Sequence, residues 1–214
     1  KLDNDGSSKE RFSDYALNAF RTGSDPVIYP NTDWRKYIFK DTYLQTQHNI
    51  NISGGTDRVR YFTSLGYLYQ DGMIKQFDKL DYDNKFSYNR FNYRANLDID
   101  VTKTTLFKIN IGGRVGVTHE PRGHSDGLWR QVNWASPFAS PGLSKDGYPI
   151  EIGKGYLPVA LKTGLAAFYG LGYSEKTKND LNIDIAVEQK LDFITKGLKA
   201  HVKGSYNTYY TMTV

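Results

Sequence analysis

Arg90-Phe91-Asn92-Tyr93-Arg94-Ala95-Asn96-Leu97-Asp98-Ile99-Asp100-Val101 alternates without a break. Its odd positions are Phe91, Tyr93, Ala95, Leu97, Ile99 and Val101, and every even position is Arg, Asn or Asp. Successive side chains point to opposite faces of an extended strand, whereas a helix returns to one face only every three or four residues. Twelve alternating residues therefore define a strand with one greasy face and one wet face. With hydrophobic residues at 39% of the chain, such a register arises by chance in roughly 2 of 10,000 trials.

The pattern recurs on both sides of this stretch. Phe107, Ile109, Ile111, Gly113, Val115 and Val117 alternate with Lys108, Asn110, Gly112, Arg114 and Gly116. Leu181, Ile183, Ile185 and Val187 alternate with Asp180, Asn182, Asp184, Ala186 and Glu188. The phase then moves to even numbers: Leu198, Ala200, Val202, Gly204, Tyr206, Thr208 and Tyr210. Upstream, Val59, Tyr61, Thr63, Leu65, Tyr67 and Tyr69 form a further face, preceded by a weaker strand around Ile50 and Ile52. Six strands are expected.

Short and long connections alternate between them. Ser53 to Arg58, Thr102 to Thr105 and Asp192 to Gly197 are tight polar turns, two of them containing Gly. Long stretches, near 70–89 and 118–179, separate the resulting pairs. Barrels of the outer-membrane type have this asymmetry, with short periplasmic turns and long extracellular loops. A strand of about ten residues, tilted by about 40°, crosses an outer-membrane apolar band. Tyr67, Tyr69, Phe91, Tyr93, Tyr206 and Tyr210 gather toward the long-loop ends of their strands, as an interfacial aromatic girdle would. The expected fold is all-β: antiparallel strands of a transmembrane β-barrel, with long extracellular loops and a short loop helix. Residues 1–44 read as an extracellular loop segment. Residues 45–214 read as a partial barrel of about six strands in three hairpins.

Composition sets the limits. The chain has 214 residues and no cysteine, which excludes disulfide frameworks, thiolate metal sites and cysteine catalysis. No run of about 18 apolar residues exists, so no transmembrane helix is expected. The mean hydropathy of −0.59 leaves a barrel open, because its lumen and loops are polar. Net charge is +5, from 28 basic and 23 acidic residues. The excess is dispersed rather than gathered in a stripe, so nucleic acid is not expected as a partner.

Two loop regions carry further signals. Ser13 is placed to cap a helix from Asp14 to Arg21, ended by Thr22-Gly23, with Leu17 and Phe20 on one side. Asp25-Pro26 and Tyr29-Pro30 read as turns. The stretch from Thr118 to Asn179 holds Trp129, Trp134, Phe138, Tyr148 and Tyr156, candidate contacts for substrate or for a protein lid.

Several segments, taken in order, resemble the SusC/RagA family of TonB-dependent outer-membrane transporters. They are Tyr29-Pro30-Asn31-Thr32-Asp33-Trp34, Gln47-His48-Asn49-Ile50-Asn51-Ile52-Ser53-Gly54-Gly55 and the run from Tyr61 to Gly72. The Arg90–Asp98 stretch, Gly172-Tyr173-Ser174-Glu175 and the run from Phe193 to Leu198 complete the set, which covers about 30 to 214. The resemblance implies a 22-stranded barrel around an internal plug, importing glycan fragments or peptides across the bacterial outer membrane. It implies a SusD-like surface lipoprotein as a lid, energy from the TonB complex, and contact with outer-membrane lipid. It also implies that this chain is the early barrel only, without the plug, the TonB box or the later strands.

Catalytic and cofactor chemistry is not expected. His119-Glu120 with His124 misses zinc-protease spacing by one residue, and Pro121 interrupts any helix there. Asp3, Asp5 and Gly6 suggest a calcium loop, but Lys1 and Phe12 occupy its first and last ligand positions. Gly112-Gly113 lies inside a strand and suits close packing or a bulge rather than phosphate binding. Asp98/Asp100 and Asp180/Asp184 line one strand face as solvated lumen charge. The competing architecture is a soluble β-sandwich, either a carbohydrate-binding module with an aromatic loop or, with less support, a hydrolase. In that architecture two apolar faces would interdigitate as a dry centre.

Overall fold

The structure is a computed structural model that describes residues 12–76, 81–83, 85–122, 132–148, 150 and 172–214. The chain divides into two compact units. A sheet unit comprises Tyr43–Gly72, Phe86–His119 and Ser174–Val214. A loop unit comprises Lys1–Thr42, Met73–Lys85 and Glu120–Tyr173. The strands are thus contiguous in space rather than in sequence, because two stretches inside 45–214 group with the first 42 residues.

Six strands form one antiparallel sheet in the order of the chain: β1 (Gln45–Gly55), β2 (Val59–Asp71), β3 (Ser87–Asp100), β4 (Thr105–Pro121), β5 (Tyr173–Lys190) and β6 (Lys199–Thr213). The register puts like with like. Leu65 lies between Ile50 and Tyr93, and Leu97 between Tyr61 and Ile109. Ile183 faces Tyr206 and Val187 faces Val202. On the other face Asp98 meets Lys108, Asn96 meets Asn110, and Asn182 meets Asn207. Because a one-residue slip would turn every side chain over, this matching fixes the pairing.

The tight turns close as their residues require. Thr56 bonds across to Val59 and its hydroxyl accepts from the Val59 amide, 3.2 Å away. In the β5–β6 turn Gly197 has φ 84°, and its amide donates to the Asp192 carboxylate at 2.7 Å. Thr105 donates to Gln189, and Lys190 N–H to the Thr104 carbonyl, tying β4 to β5. The β3–β4 ladder runs unbroken past Gly112 and Gly113, so the bulge contemplated from sequence is not formed. Close packing is. The Tyr93 ring covers Gly113, where an added Cβ would meet its Cζ at 2.7 Å.

No hydrophobic side chain on the apolar face of this sheet is buried. Ile50, Ile52, Leu65, Phe91, Ile185, Val202 and Tyr206 are all exposed. The two buried hydrophobics of the sheet unit, Leu68 and Ala186, both belong to the opposite, polar rows. Among the described residues there is one sheet, so the interdigitated centre of a β-sandwich is not formed.

The loop unit has a core of its own. α1 (Asp14–Thr22) is capped by the Ser13 hydroxyl, which accepts from Ala16 N–H at 3.2 Å, and ends on Gly23 at φ 65°. Its buried face is Ala16, Ala19 and Phe20, whereas Leu17, expected beside Phe20, stands exposed. Helix α1 turns Phe20 into a cluster with Phe12, Tyr29 and Phe138, and that cluster sets which side is buried. A second helix, α2 (Trp34–Ile38), is capped by Asp33, whose carboxylate accepts from Arg35 and Lys36 N–H. Trp34 and Ile38 pack with Val132, flanked by Tyr37, Phe39, Ile74 and Leu143. Polar ties join the segments: Trp34 Nε1 donates to the Ser136 carbonyl at 2.9 Å, and the Tyr37 hydroxyl accepts from Leu143 N–H at 2.7 Å.

Candidate functional site

The polar face of the sheet unit holds an open depression of about 780 Å³, a volume within the range of small-molecule sites. Five amides converge on it from four strands: Asn92 and Asn96 of β3, Asn110 of β4, Asn182 of β5 and Asn207 of β6. They share a face because all sit at positions of matching register. Glycine makes the room: Gly112 lines the depression, and a Cβ added there would find only the Tyr93 carbonyl, 3.8 Å away.

Charge around the depression is mostly paired. Arg114 donates from Nε to Asp180 across β4 and β5. Lys203 reaches Asp184 at 3.1 Å, and Lys199 reaches Glu188 at 3.6 Å. Toward the short turns Arg60 donates to Asp100 at 2.6 Å. Such half-exposed pairs add little stability. Their effect is to cancel charge on this face. The Asp180 and Asp184 expected as solvated lumen charge are each engaged with a cation.

The aromatic residues singled out in the sequence fall into four groups. Tyr67 and Phe91 are cross-strand partners whose ring centroids lie 4.9 Å apart, and the Tyr67 hydroxyl donates to Asn89 at 2.9 Å. Tyr69 follows on the same face, Tyr93 lies over Gly113, and Tyr206 and Tyr210 stand exposed opposite Ile183 and Asn179. In the loop unit Trp134 and Tyr148 are 81% and 73% exposed. Phe138, by contrast, packs on Phe20 with centroids 4.3 Å apart. Trp129 and Tyr156 lie outside the described residues. So does His124, while His119 and Glu120 sit in β4 rather than on a helix. Among the described residues no three His, Cys, Asp or Glu converge as a metal site.

The amide-lined depression has no counterpart in a strand-by-strand reading of the sequence. Its signal is the recurrence of Asn at even positions on β3, β4 and β5 and at an odd one on β6. That recurrence has meaning only once the registers are known.

A single antiparallel layer, apolar on one side and charged on the other, with long and short connections alternating, is a section of transmembrane β-barrel wall. Known proteins agree with that class. The chain is 24% identical over 202 residues to the TonB-dependent receptor SusC of Bacteroides thetaiotaomicron, covering 82% of this chain and 18% of that protein. It is 28% identical over 142 residues to TonB-dependent receptor P26 of Formosa agariphila, covering 56% of this chain and 13% of that protein. In fold it is similar to the RagAB peptide importer in its closed-closed state, with TM-score 0.61 and 17% identity over 86% of this chain and 19% of that one. A second RagAB peptide transporter structure gives TM-score 0.58 at 18% identity, over 88% and 20% of the two chains. No protein-family model matches the chain. The chain is SusC/RagA-like, similar to receptors and transporters rather than to enzymes, and it spans less than a fifth of the relatives' length.

Proposed function

We propose that the chain forms part of the wall and outer loops of a TonB-dependent importer in a bacterial outer membrane. One observation carries this reading: an apolar face shared by six long strands has no buried hydrophobic side chain and many exposed ones, while the buried hydrophobics of the sheet unit lie on the other face. Water would penalise such a face at roughly 25 cal/mol for each Å² exposed, and lipid would not. Hydrocarbon is the covering that fits. Tyr67, Tyr69, Phe91, Tyr93, Tyr206 and Tyr210 act as the interfacial girdle on that same face, with rings in the headgroup layer.

The polar rows face a hydrated lumen, against a plug and passing substrate. Long connections leave toward the cell exterior. There Trp134 and Tyr148, with Trp129 and Tyr156, contact a SusD-like lipoprotein lid or an oligosaccharide or peptide. Phe138 serves the packing of the loop unit. The TonB complex engages the protein through regions outside this chain.

The test is fractionation and uptake with the intact parent protein. It should partition with outer membrane, require detergent for extraction, bring a surface lipoprotein with it, and take up labelled oligosaccharides or peptides only when TonB is present. A parent that is soluble and monodisperse without detergent would overturn the reading.

A further inference from the structure

We propose that Trp134 and Tyr148 are fixed, projecting anchors for the surface lipoprotein, and that Arg35 and Tyr37 position them, Arg35 the first and Tyr37 the second. The inference rests on the importer reading and chooses between the two contacts that reading leaves open, the lid and the substrate. The bonds and packing that support it all lie inside the loop unit, between residues of this chain.

Trp134 stands exposed in a segment that is held on both sides. Before it, Val132 is buried against Trp34 and Ile38, and Asn133 Oδ1 accepts from Arg35 Nη2 at 3.0 Å. After it, the Ser136 carbonyl accepts from the Trp34 indole and the Pro137 carbonyl from Thr32 N–H, each at 2.9 Å. These attachments fix the backbone from which the indole projects.

Tyr148 is mounted differently, on the loop 142–150. Ser140, fully buried, closes the base of this loop: its hydroxyl accepts from Gly142 N–H at 2.9 Å and donates to the Ile150 carbonyl. Ile150 N–H returns to the Gly142 carbonyl at 2.9 Å. Ser144 takes both backbone groups of Tyr148. Its N–H donates to the Tyr148 carbonyl at 2.8 Å, and its hydroxyl accepts from Tyr148 N–H at 3.2 Å. Tyr37 fastens the loop to α2, its hydroxyl accepting from Leu143 N–H at 2.7 Å. The Tyr37 ring lies so close over Gly142, at φ 106°, that an added Cβ would strike it.

Shape decides the partner. Small ligands are taken in concave sites, and two hollows of the loop unit, one beside Ala135 and one beside Phe12, are lined by neither aromatic. A rigid Trp or Tyr standing out from a surface is instead the side chain with which one protein fills a pocket on another. Holding it in place before contact lowers the ordering cost of binding.

The experiment uses the intact transporter in detergent, titrated with the surface lipoprotein that co-purifies with it. Trp134→Ala and Tyr148→Ala should each weaken binding by about tenfold or more, as interface anchors do. Tyr37→Phe keeps the ring over Gly142 and removes the bond to Leu143; it should weaken binding by about threefold to tenfold. Arg35→Met, which releases Asn133, should do the same. The readout specific to positioning is which effects combine. Tyr37→Phe should add nothing once Tyr148 is replaced by alanine, yet add in full to Trp134→Ala; Arg35→Met should show the reverse. Lost stability alone would add in all four combinations, and that result overturns the roles of Arg35 and Tyr37.

Should a variant not assemble, oxidative footprinting of the unmutated protein remains. Both rings should oxidise in the transporter alone and be protected once the lipoprotein is bound. Slow oxidation in both states would mean that the transporter's own chain covers them, and equal oxidation in both would mean no contact. Either result overturns the proposal, as does an unchanged lipoprotein affinity in both alanine variants, and the importer reading then stands. A parent that is soluble without detergent and brings no lipoprotein with it removes both.

Discussion

In the loop unit Trp34 and Ile38 are 4% and 2% exposed, whereas Ile50, Leu65 and Val202 of the sheet unit stand at 63%, 56% and 72%. Large apolar side chains are thus buried in one unit and exposed in the other. The loop unit gathers residues from three distant stretches, closes them with caps and side-chain-to-carbonyl bonds, and buries Phe20, Trp34 and Ile38. The sheet unit satisfies its backbone through its ladders, pairs several of its charges on one face, and leaves large apolar side chains of the other exposed. Helices and short loops suffice to make a core in water, but a single-layer sheet needs a second apolar phase.

Six substitutions, two of them controls, would break or sharpen that contrast. The largest effect is expected from Trp34→Ala, which removes both a buried indole and its bond to Ser136. A loss of about 3–5 kcal/mol from the loop unit should follow. Loops on intact cells should become protease-sensitive, while the sheet keeps its heat-resistant migration on gels. Next is Ile111→Arg at the middle of the apolar face, worth about 2–4 kcal/mol against membrane assembly. Its counterpart Ser205→Arg, on the wet face opposite Asp184, should leave assembly unchanged in outer-membrane yield.

A smaller effect is expected within one face. Gly113→Val drives a side chain into the Tyr93 ring and the Asp180 carbonyl and should cost about 1–3 kcal/mol. Gly204→Val, with nothing within 4 Å of an added Cβ, should be tolerated; denaturant midpoints of the reconstituted protein compare the two. The smallest effect is Ser13→Ala, which removes the α1 cap and should cost about 1 kcal/mol. It is read as faster hydrogen exchange confined to α1.

The legibility of the sequence follows the same division. β3 was readable because its alternation is complete on both faces. β1 was faint, since Gln45, Gln47, Asn49 and Asn51 alternate with residues only partly apolar, yet its ladder to β2 spans the whole strand. β5 begins at Tyr173, well before its first apolar pair, because Glu175, Thr177 and Asn179 occupy the positions that carry Leu181 and Ile183 further along. Backbone hydrogen bonds continue past the point where the apolar row ends, so hydrophobic pattern underestimates strand length.

In the loop unit the cap at Ser13 and the stop at Gly23 were legible as local chemistry. Helix α2 is five residues long and too short to show a period. The exposure of Leu17 goes with the packing of Phe20 on Phe138, more than a hundred positions away. The amide-lined depression depends on four strands in register, information that no single segment holds.

The most direct test of the apolar face uses single cysteines in a background otherwise free of them, and this stretch of the protein has none of its own. Single cysteines placed in turn from Phe91 to Ile99 in the intact, membrane-embedded protein can carry spin labels. Collisions with dissolved oxygen, concentrated in hydrocarbon, would then be compared with collisions with a water-soluble nickel complex. The expected result is a period of two, with positions 91, 93, 95, 97 and 99 meeting oxygen and the even positions shielded from it. Odd positions that meet neither reagent would mean that protein, not lipid, covers this face, and would contradict the assignment.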